Sequence, residues 1–145
     1  MTSPEQTSNA DWAILFMAWL LVSIGTMGSL FFSEVMGFAP CALCWYQRIF
    51  MYPLVITLGI GLFPVDRSAV RYSLPLAMIG WCFALYHNLL YSGIIPKSLQ
   101  PCGQGVSCTE TYIDLFGFLT IPMLSLILYS AVTGLLVLLK RRLAK

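Results

Sequence analysis

The sequence has few charged residues. Asp, Glu, Lys and Arg together make up 10% of the 145 residues, whereas 59% are hydrophobic. Soluble domains carry about 25% charged residues, so a chain of this composition cannot cover its apolar surface in water and stay monomeric. A net charge of +2 is too small to indicate nucleic-acid binding. There is no fixed-period repeat, and the composition predicts a single integral-membrane domain, residues 1–145.

No Lys or Arg precedes the first apolar run. A cleaved signal peptide begins with a positively charged segment, so we expect the run from Ala13 to Phe32 to be retained as a transmembrane helix. About 20 predominantly apolar residues cross the hydrocarbon core of a bilayer. By this criterion the predicted spans are residues 13–32, 45–63, 73–91 and 116–139. The predicted fold class is an all-α membrane protein, a four-helix transmembrane bundle.

The basic residues are distributed unequally between the two ends of the predicted bundle. Four spans place both termini and the turn at 64–72 on one side, and this side holds six Lys and Arg residues. The loops 33–44 and 92–115 lie on the other side and hold only Lys97. Because cytoplasmic loops carry the excess of Lys and Arg, we expect both termini in the cytoplasm and both loops outside.

Four of the five cysteines form two local pairs in the predicted outer loops. Cys41 and Cys44 are spaced C-x-x-C just before the second span, and Cys102 and Cys108 lie in the longer loop. Disulfides form and persist outside the cytoplasm. Two pairs on one side suggest a relay, because disulfide exchange passes through mixed disulfides and needs a second thiol to resolve each one.

The C-x-x-C pair lies where the second helix is predicted to begin. The free N–H groups and partial positive charge of a helix N-terminus stabilise a thiolate, which is the reactive form of cysteine. In a helix, Cys44 and Arg48 are four residues apart and share a face. Arg48 is the only charge in its span and is therefore a candidate functional residue. The alternative is that its guanidinium only snorkels to the headgroups.

Two other interpretations of the cysteines stay open. The pair in the longer loop could be a structural staple, and the protein would then be non-enzymatic. All four cysteines could also hold zinc, since C-x-x-C followed by a later pair suits a tetrahedral site. The position outside the cell and the intramembrane Arg48 argue against zinc, so we expect no metal. A relay running in the reverse direction would need a cytoplasmic cysteine, and none is predicted there.

The motif Pro-Cys-x-Leu-Cys-Trp-Tyr-Gln-Arg at the mouth of the second span resembles the DsbB-type disulfide bond formation proteins. The later Pro-Cys…Ser-Cys-Thr-Glu, followed by Phe-Gly-Phe-Leu-Thr-Ile-Pro-Met-Leu-Ser-Leu, is similar to the BdbC branch. The resemblance extends over roughly residues 13–140. It implies a quinone-dependent protein-disulfide oxidoreductase of the bacterial cell membrane that supports disulfide formation in exported proteins.

The resemblance also implies an order of electron transfer. A reduced extracytoplasmic thioredoxin-like oxidase of the DsbA/BdbD type attacks the disulfide in the longer loop, where Cys102 takes the mixed disulfide and Cys108 is released. The electrons pass to the C-x-x-C pair. Cys44 then reacts beside Arg48 with a menaquinone or ubiquinone that is not covalently bound, and the quinone pool of the membrane carries the electrons away.

The remaining candidates lie inside the spans. His87 is near the outer end of the third span, where a polar side chain should face the bundle or a ligand. The resemblance implies that His87 helps to hold the quinone, and the alternative is a histidine bonded to a carbonyl of a neighbouring helix. Cys82 is expected to be an inert, buried, small hydrophobic residue. Gly25, Gly28 and Ser29 form a small-residue face where another helix could approach or that could simply face lipid.

Overall fold

Four long helices dominate the protein in a computed structural model, which describes residues 8–99 and 120–144. The elements are α1 at Asn9–Leu30, which continues as a π turn at Phe31–Val35, α2 at Ala42–Ile60, α3 at Arg67–Tyr91, a 3-10 turn at Lys97–Leu99, and α4 at Ile121–Leu143. Each of the four helices is long and apolar enough to cross a membrane. The two described segments contain no strand, and the predicted all-α, four-helix transmembrane bundle is confirmed.

Local chemistry explains several helix ends. The Ser8 hydroxyl accepts a hydrogen bond from the Ala10 N–H at 3.2 Å, and the Asp66 carboxylate accepts one from the Ser68 N–H at 2.8 Å. These side chains satisfy N–H groups that have no partner inside the helix. Pro122 lies in the first turn of α4, where a backbone N–H is not needed. The last turn of α4 carries three basic residues, which suit the negative end of the helix dipole, namely Lys140, Arg141 and Arg142.

The helices extend further than the predicted spans. The first begins at Asn9 rather than Ala13, and the third at Arg67 rather than Ser73. The second begins at Ala42, so Cys44 lies within a helix and not at the end of a loop. Helical hydrogen bonding continues past the apolar stretch because backbone groups near the membrane surface need partners as well. Residues 116–119, the predicted start of the fourth span, lie outside the described residues.

The four helices pack in a ring, in which α1 and α3 each contact both α2 and α4. Large apolar side chains fill the centre, and the fully buried ones include Leu15, Val22, Leu54, Leu58, Val132 and Leu136. A hydrogen bond of 2.8 Å between the hydroxyls of Thr57 and Ser73 joins α2 to α3. Such hydroxyl pairs are common between helices in membranes, where an unpaired polar group is costly.

An ion pair identifies one end of the bundle. Arg142 Nε donates to Asp11 Oδ1 at 2.7 Å, so the start of α1 and the end of α4 lie together. Because successive helices run in opposite directions, Cys41 at the start of α2 and His87 near the end of α3 lie at the other end.

The π turn gives the end of α1 an unusual shape, and we refer to Phe31–Val35 as the wide turn. The Met36 N–H donates to the Phe31 carbonyl at 3.2 Å, a bond that spans five residues instead of four. Gly37 follows with φ of 69°, a conformation that glycine adopts without a steric penalty. The chain then turns back, and Phe38 stacks on Phe32 with ring centroids 6.3 Å apart.

Gly80 permits a close approach of α3 and α4. A Cβ atom at this position would collide with the Tyr129 ring. That ring is 2% exposed, and its hydroxyl donates to the Gln47 carbonyl at 2.7 Å, so it cannot easily move. We expect Gly80→Ala to lower the free energy of unfolding by about 1–3 kcal/mol, measured as a lower thermal midpoint in detergent.

The matched control is Gly134→Ala, because a Cβ at Gly134 meets no atom within 4 Å. Alanine favours a helix over glycine by about 1 kcal/mol, so the midpoint of this variant should stay the same or rise. Equal midpoints for the two variants would show that the approach at Gly80 does not limit stability.

Candidate functional site

The first turn of α2 brings the two cysteines of the C-x-x-C pair together. Cys41 is the N-cap residue, and its carbonyl accepts a hydrogen bond from the Trp45 N–H at 3.1 Å. This turn places the sulfur atoms of Cys41 and Cys44 3.2 Å apart. A disulfide bond is about 2.05 Å long, so small side-chain rotations can bring these two free thiols within bonding distance, and an oxidant that takes two electrons would then complete the disulfide.

Cys41 is the cysteine whose surroundings favour a thiolate. Its hydrogen bond with Cys44 lowers the pKa of Cys41, and a hydrogen bond with His87 adds to this effect. Burial raises the pKa of Cys41, by less than the Cys44 hydrogen bond lowers it but by more than the His87 hydrogen bond does. The position of Cys41 at a helix N-terminus also stabilises a negative charge. These surroundings make Cys41 the candidate nucleophile of the pair.

His87 reaches this pair from α3. Its side chain is 3% exposed, and its Nε2 atom lies 3.9 Å from the Cys41 sulfur, which is long for a hydrogen bond to sulfur. On the other side of the ring, Gln47 Nε2 lies 3.1 Å from His87 Nδ1. If the Gln47 amide donates to Nδ1, the ring hydrogen is on Nε2 and is directed at Cys41. In this tautomer the Nε2–H group of His87 can donate to a Cys41 thiolate.

Arg48 is enclosed by protein, although it lies within an apolar helix. Its side chain is 7% exposed, and its Nε and Nη2 atoms donate to the hydroxyl and the carbonyl of Ser29 at 2.8 and 2.7 Å. The Trp45 ring lies 5.4 Å from the guanidinium carbon, within cation–π distance. A side chain that only snorkels would expose its charged end, so this geometry argues against that alternative.

A cavity of about 430 Å³ lies between α1, α2 and α4 and reaches His87 on α3. Both cysteines, Gln47 and Arg48 line it. Most of the other lining side chains are apolar, and they include Leu21, Ile24, Phe32, Phe38, Met51 and Leu128. Its volume falls within the usual range for small-molecule sites, and a few polar groups on an apolar wall are typical of such sites.

The profile of the family described as "Disulfide bond formation protein DsbB" matches residues 10–139 of this chain. The chain belongs to the DsbB family. It is 44% identical to the "Probable disulfide formation protein" of Metapseudomonas resinovorans over 94% of this chain and 96% of the relative. It is 44% identical to "Disulfide bond formation protein C" of Bacillus subtilis over 87% and 91%. It is 52% identical to "Probable disulfide formation protein C 1" of Bacillus anthracis over 78% and 81%. No solved structure matches the chain significantly.

The predicted resemblance to the DsbB family and to its C branch is therefore confirmed. As a member of this family with four helices that can cross a membrane, the chain is a multi-pass membrane protein of disulfide bond formation. The family implies a disulfide oxidoreductase that exchanges with a thiol or disulfide partner.

This DsbB-family structure brings together those predicted site residues that it describes. They all line the cavity, and they are Cys41, Cys44, Arg48 and His87. The other predicted pair, Cys102 and Cys108, lies outside the described residues. The transfer of electrons between the two pairs therefore stays a prediction.

Sequence reasoning missed the partners that hold these residues in place. Gln47 stands in the family motif but received no role, although it is buried and bonded to His87. Its polarity inside an apolar span was a usable signal, because polar groups in a membrane need partners. Ser29 was recognised only as part of a small-residue face, whereas it binds the Arg48 guanidinium. Nothing in the linear sequence indicates that Ser29 and Arg48 are in contact.

Cys82 corrects one expectation. It is exposed on the surface of α3, not buried as predicted, because a helix that faces lipid tolerates a small apolar residue on its outer face. It is not among the cavity-lining residues. We expect Cys82→Ala to leave the rate of partner-thiol oxidation unchanged, measured with purified protein in detergent. A large loss of rate in a folded Cys82→Ala protein would give this cysteine a role in the DsbB-family chemistry.

Proposed function

We propose that this protein is a quinone-dependent thiol oxidase. It reoxidises an extracytoplasmic thioredoxin-like oxidase of the DsbA/BdbD type and passes the electrons to menaquinone or ubiquinone in the bacterial cell membrane. The observation that supports this most strongly is the cavity beside the C-x-x-C pair, which combines an apolar wall with Arg48 and His87.

The residues of this cavity fit a quinone. The apolar ring and isoprenoid tail of a quinone suit the apolar lining from α1, α2 and α4. The two carbonyl oxygens of the quinone need hydrogen-bond donors. Arg48 carries five N–H donors, of which Ser29 takes two, so Arg48 has donors left for a quinone oxygen, and His87 also lines the cavity. A bound quinone supplies an acceptor for two electrons and two protons.

The protein residues have distinct roles in this proposal. Forming the disulfide between Cys41 and Cys44 releases two electrons, and any proton still held by either sulfur must leave with them. In this proposal His87 stabilises a thiolate at Cys41, and Cys44 is the sulfur that reacts with the quinone. Arg48 supplies a fixed positive charge where negative charge develops, and its bonds to Ser29 hold that charge in place before the reaction.

We further propose that the cysteine end of the bundle faces outward and that both termini are cytoplasmic. The end opposite the cysteines holds the Asp11–Arg142 ion pair. It also gathers basic residues, namely Arg67 and Arg71 at the start of α3 and Lys140, Arg141 and Arg142 at the end of α4. Such a concentration of Lys and Arg is typical of the cytoplasmic side. In this orientation, Cys102 and Cys108 are the entry point for electrons from the partner.

The experiment follows the absorbance of a quinone after a reduced thioredoxin-like oxidase is added to the purified protein in detergent. We expect rapid quinone reduction that stops in Cys102→Ser, and Cys82→Ser is the matched control for the same chemical change. A quinone that stays oxidised even after a chelator has removed all zinc from the protein would instead favour the non-enzymatic structural interpretation. Continued quinone reduction in Cys102→Ser would contradict the proposed entry point.

A further inference from the structure

Three potential metal ligands converge at the end of the bundle that carries the C-x-x-C pair. The sulfur atoms of Cys41 and Cys44 and one ring nitrogen of His87 all lie within 4.8 Å of one another. The two sulfurs are 3.2 Å apart, and His87 Nε2 is 3.9 Å from the Cys41 sulfur. In the parts of the chain that the structure describes, no second group of three such residues occurs.

These separations are close to those of a tetrahedral zinc site. Zinc binds thiolate sulfur at about 2.3 Å and imidazole nitrogen at about 2.0–2.1 Å, which places two sulfurs about 3.8 Å apart and a sulfur and a nitrogen about 3.5 Å apart. The observed distance between the two sulfurs is about 0.6 Å shorter than this and that between the Cys41 sulfur and His87 Nε2 about 0.4 Å longer, differences that side-chain rotations can close. The adjoining cavity leaves room for a water molecule as the fourth ligand.

The charges near this group also suit zinc. Two thiolates neutralise a divalent cation, so the complex buries no net charge at the membrane boundary. The nearest cation in the cavity wall is Arg48, whose guanidinium is bonded to Ser29 and packed on Trp45. Gln47 contacts the far side of the His87 ring. With a metal on Nε2, the Gln47 amide can turn its oxygen to accept the Nδ1 hydrogen, the usual second contact of a metal-bound histidine.

We infer that the reduced Cys41–Cys44 pair and His87 form a binding site for Zn²⁺, and that zinc bound there blocks formation of the disulfide. Binding releases to solvent whatever protons the two thiols hold, and it moves no electrons. The oxidised protein cannot form the site, because its two sulfurs are bonded to each other. The site is therefore distinct from a structural four-cysteine centre, and the working protein needs no metal.

The test uses a full-length chain in which Cys41 and Cys44 are the only cysteines, made by Cys82→Ala, Cys102→Ser and Cys108→Ser. The protein carries no polyhistidine tag, is reduced in detergent, and is titrated with zinc chloride against a chromogenic zinc chelator. We expect about one zinc ion per chain for the reduced protein and no retained zinc after oxidation to the disulfide. In a second experiment, zinc should inhibit quinone reduction by the unmodified protein, and a chelator should restore it.

His87→Ala should weaken zinc binding by about tenfold or more, whereas Asn88→Ala, on the next residue of α3, should bind zinc like the parent. His87→Gln keeps a side chain of similar size and serves where the alanine variant does not fold. Three results would each overturn the inference. They are no zinc on the reduced protein, equal zinc on the oxidised protein, and equal affinity in the His87 variants and Asn88→Ala. The zinc titration needs neither quinone nor partner, so its failure is separable from a failure of the proposed oxidase activity.

Discussion

Cys44→Ser is expected to reduce the rate of quinone reduction to the uncatalysed background. The Cys44 sulfur lies 3.2 Å from that of Cys41 and lines the cavity in which we place the quinone. A serine hydroxyl cannot form a disulfide or act as the second thiol that resolves a mixed disulfide. The measurement is the decrease in quinone absorbance after addition of the reduced partner, compared with the unmodified protein.

The same variant should trap an intermediate. Without Cys44, a disulfide between Cys41 and a cysteine of the longer loop has no neighbouring thiol on α2 to release it. We therefore expect a species that changes its mobility on a non-reducing gel and disappears on reduction. Cys82→Ser is the matched control, since it makes the same chemical change on the outer face of α3. Turnover at the normal rate in Cys44→Ser would remove this cysteine from the mechanism.

Arg48→Met is expected to raise the quinone concentration needed for half-maximal rate by about 10- to 100-fold. A hydrogen bond from a charged group contributes about 1.5–3 kcal/mol, and each 1.4 kcal/mol is a factor of about ten in affinity. Methionine keeps the apolar stem of the side chain but removes the N–H donors of a residue that lines the cavity. The measurement is the dependence of the rate on quinone concentration at saturating partner.

Two further variants separate charge from position. Arg48→Lys keeps the charge but cannot make both bonds to Ser29, so its affinity should lie between those of Arg48→Met and the parent. Ser29→Ala removes one acceptor and leaves the backbone carbonyl, so its effect should be the smallest of the three. Thermal unfolding must accompany these measurements, because an unpaired Ser29 hydroxyl costs about 1–3 kcal/mol. An unchanged affinity for quinone in a folded Arg48→Met protein would exclude the proposed contact.

The number and type of helices could be predicted because each apolar run is about as long as a bilayer is thick. The ends of the helices could not be predicted in the same way. The third helix begins at Arg67, and its first turns contain polar residues that a search for apolar runs leaves out. The inward face of each helix was also difficult to predict. A chain that is apolar on all sides gives no periodic signal, which is why Cys82 was expected to be buried.

The cysteine pair and Arg48 were predictable as neighbours because their spacing on one helix determines their proximity. His87 was found from its polarity within a span. The contacts that hold these side chains in place join residues that are far apart in the sequence. Ser29 is 19 residues from Arg48 and Gln47 is 40 residues from His87, so both contacts depend on how whole helices pack. Sequence spacing carries no information on such pairs.

Because of the wide turn at Phe31–Val35, the shape of the cavity wall depends on the number of residues between Ser29 and Cys41. A π turn holds one residue more than an α turn, and each residue of a helix turns the chain by about 100°. Deleting a single residue there would restore a regular helix and rotate Gly37 and Phe38 away from their present directions. Phe38 would then leave the cavity wall, although every side chain at the cysteine pair is unchanged. In this segment, insertions and deletions should therefore be tolerated less well than substitutions.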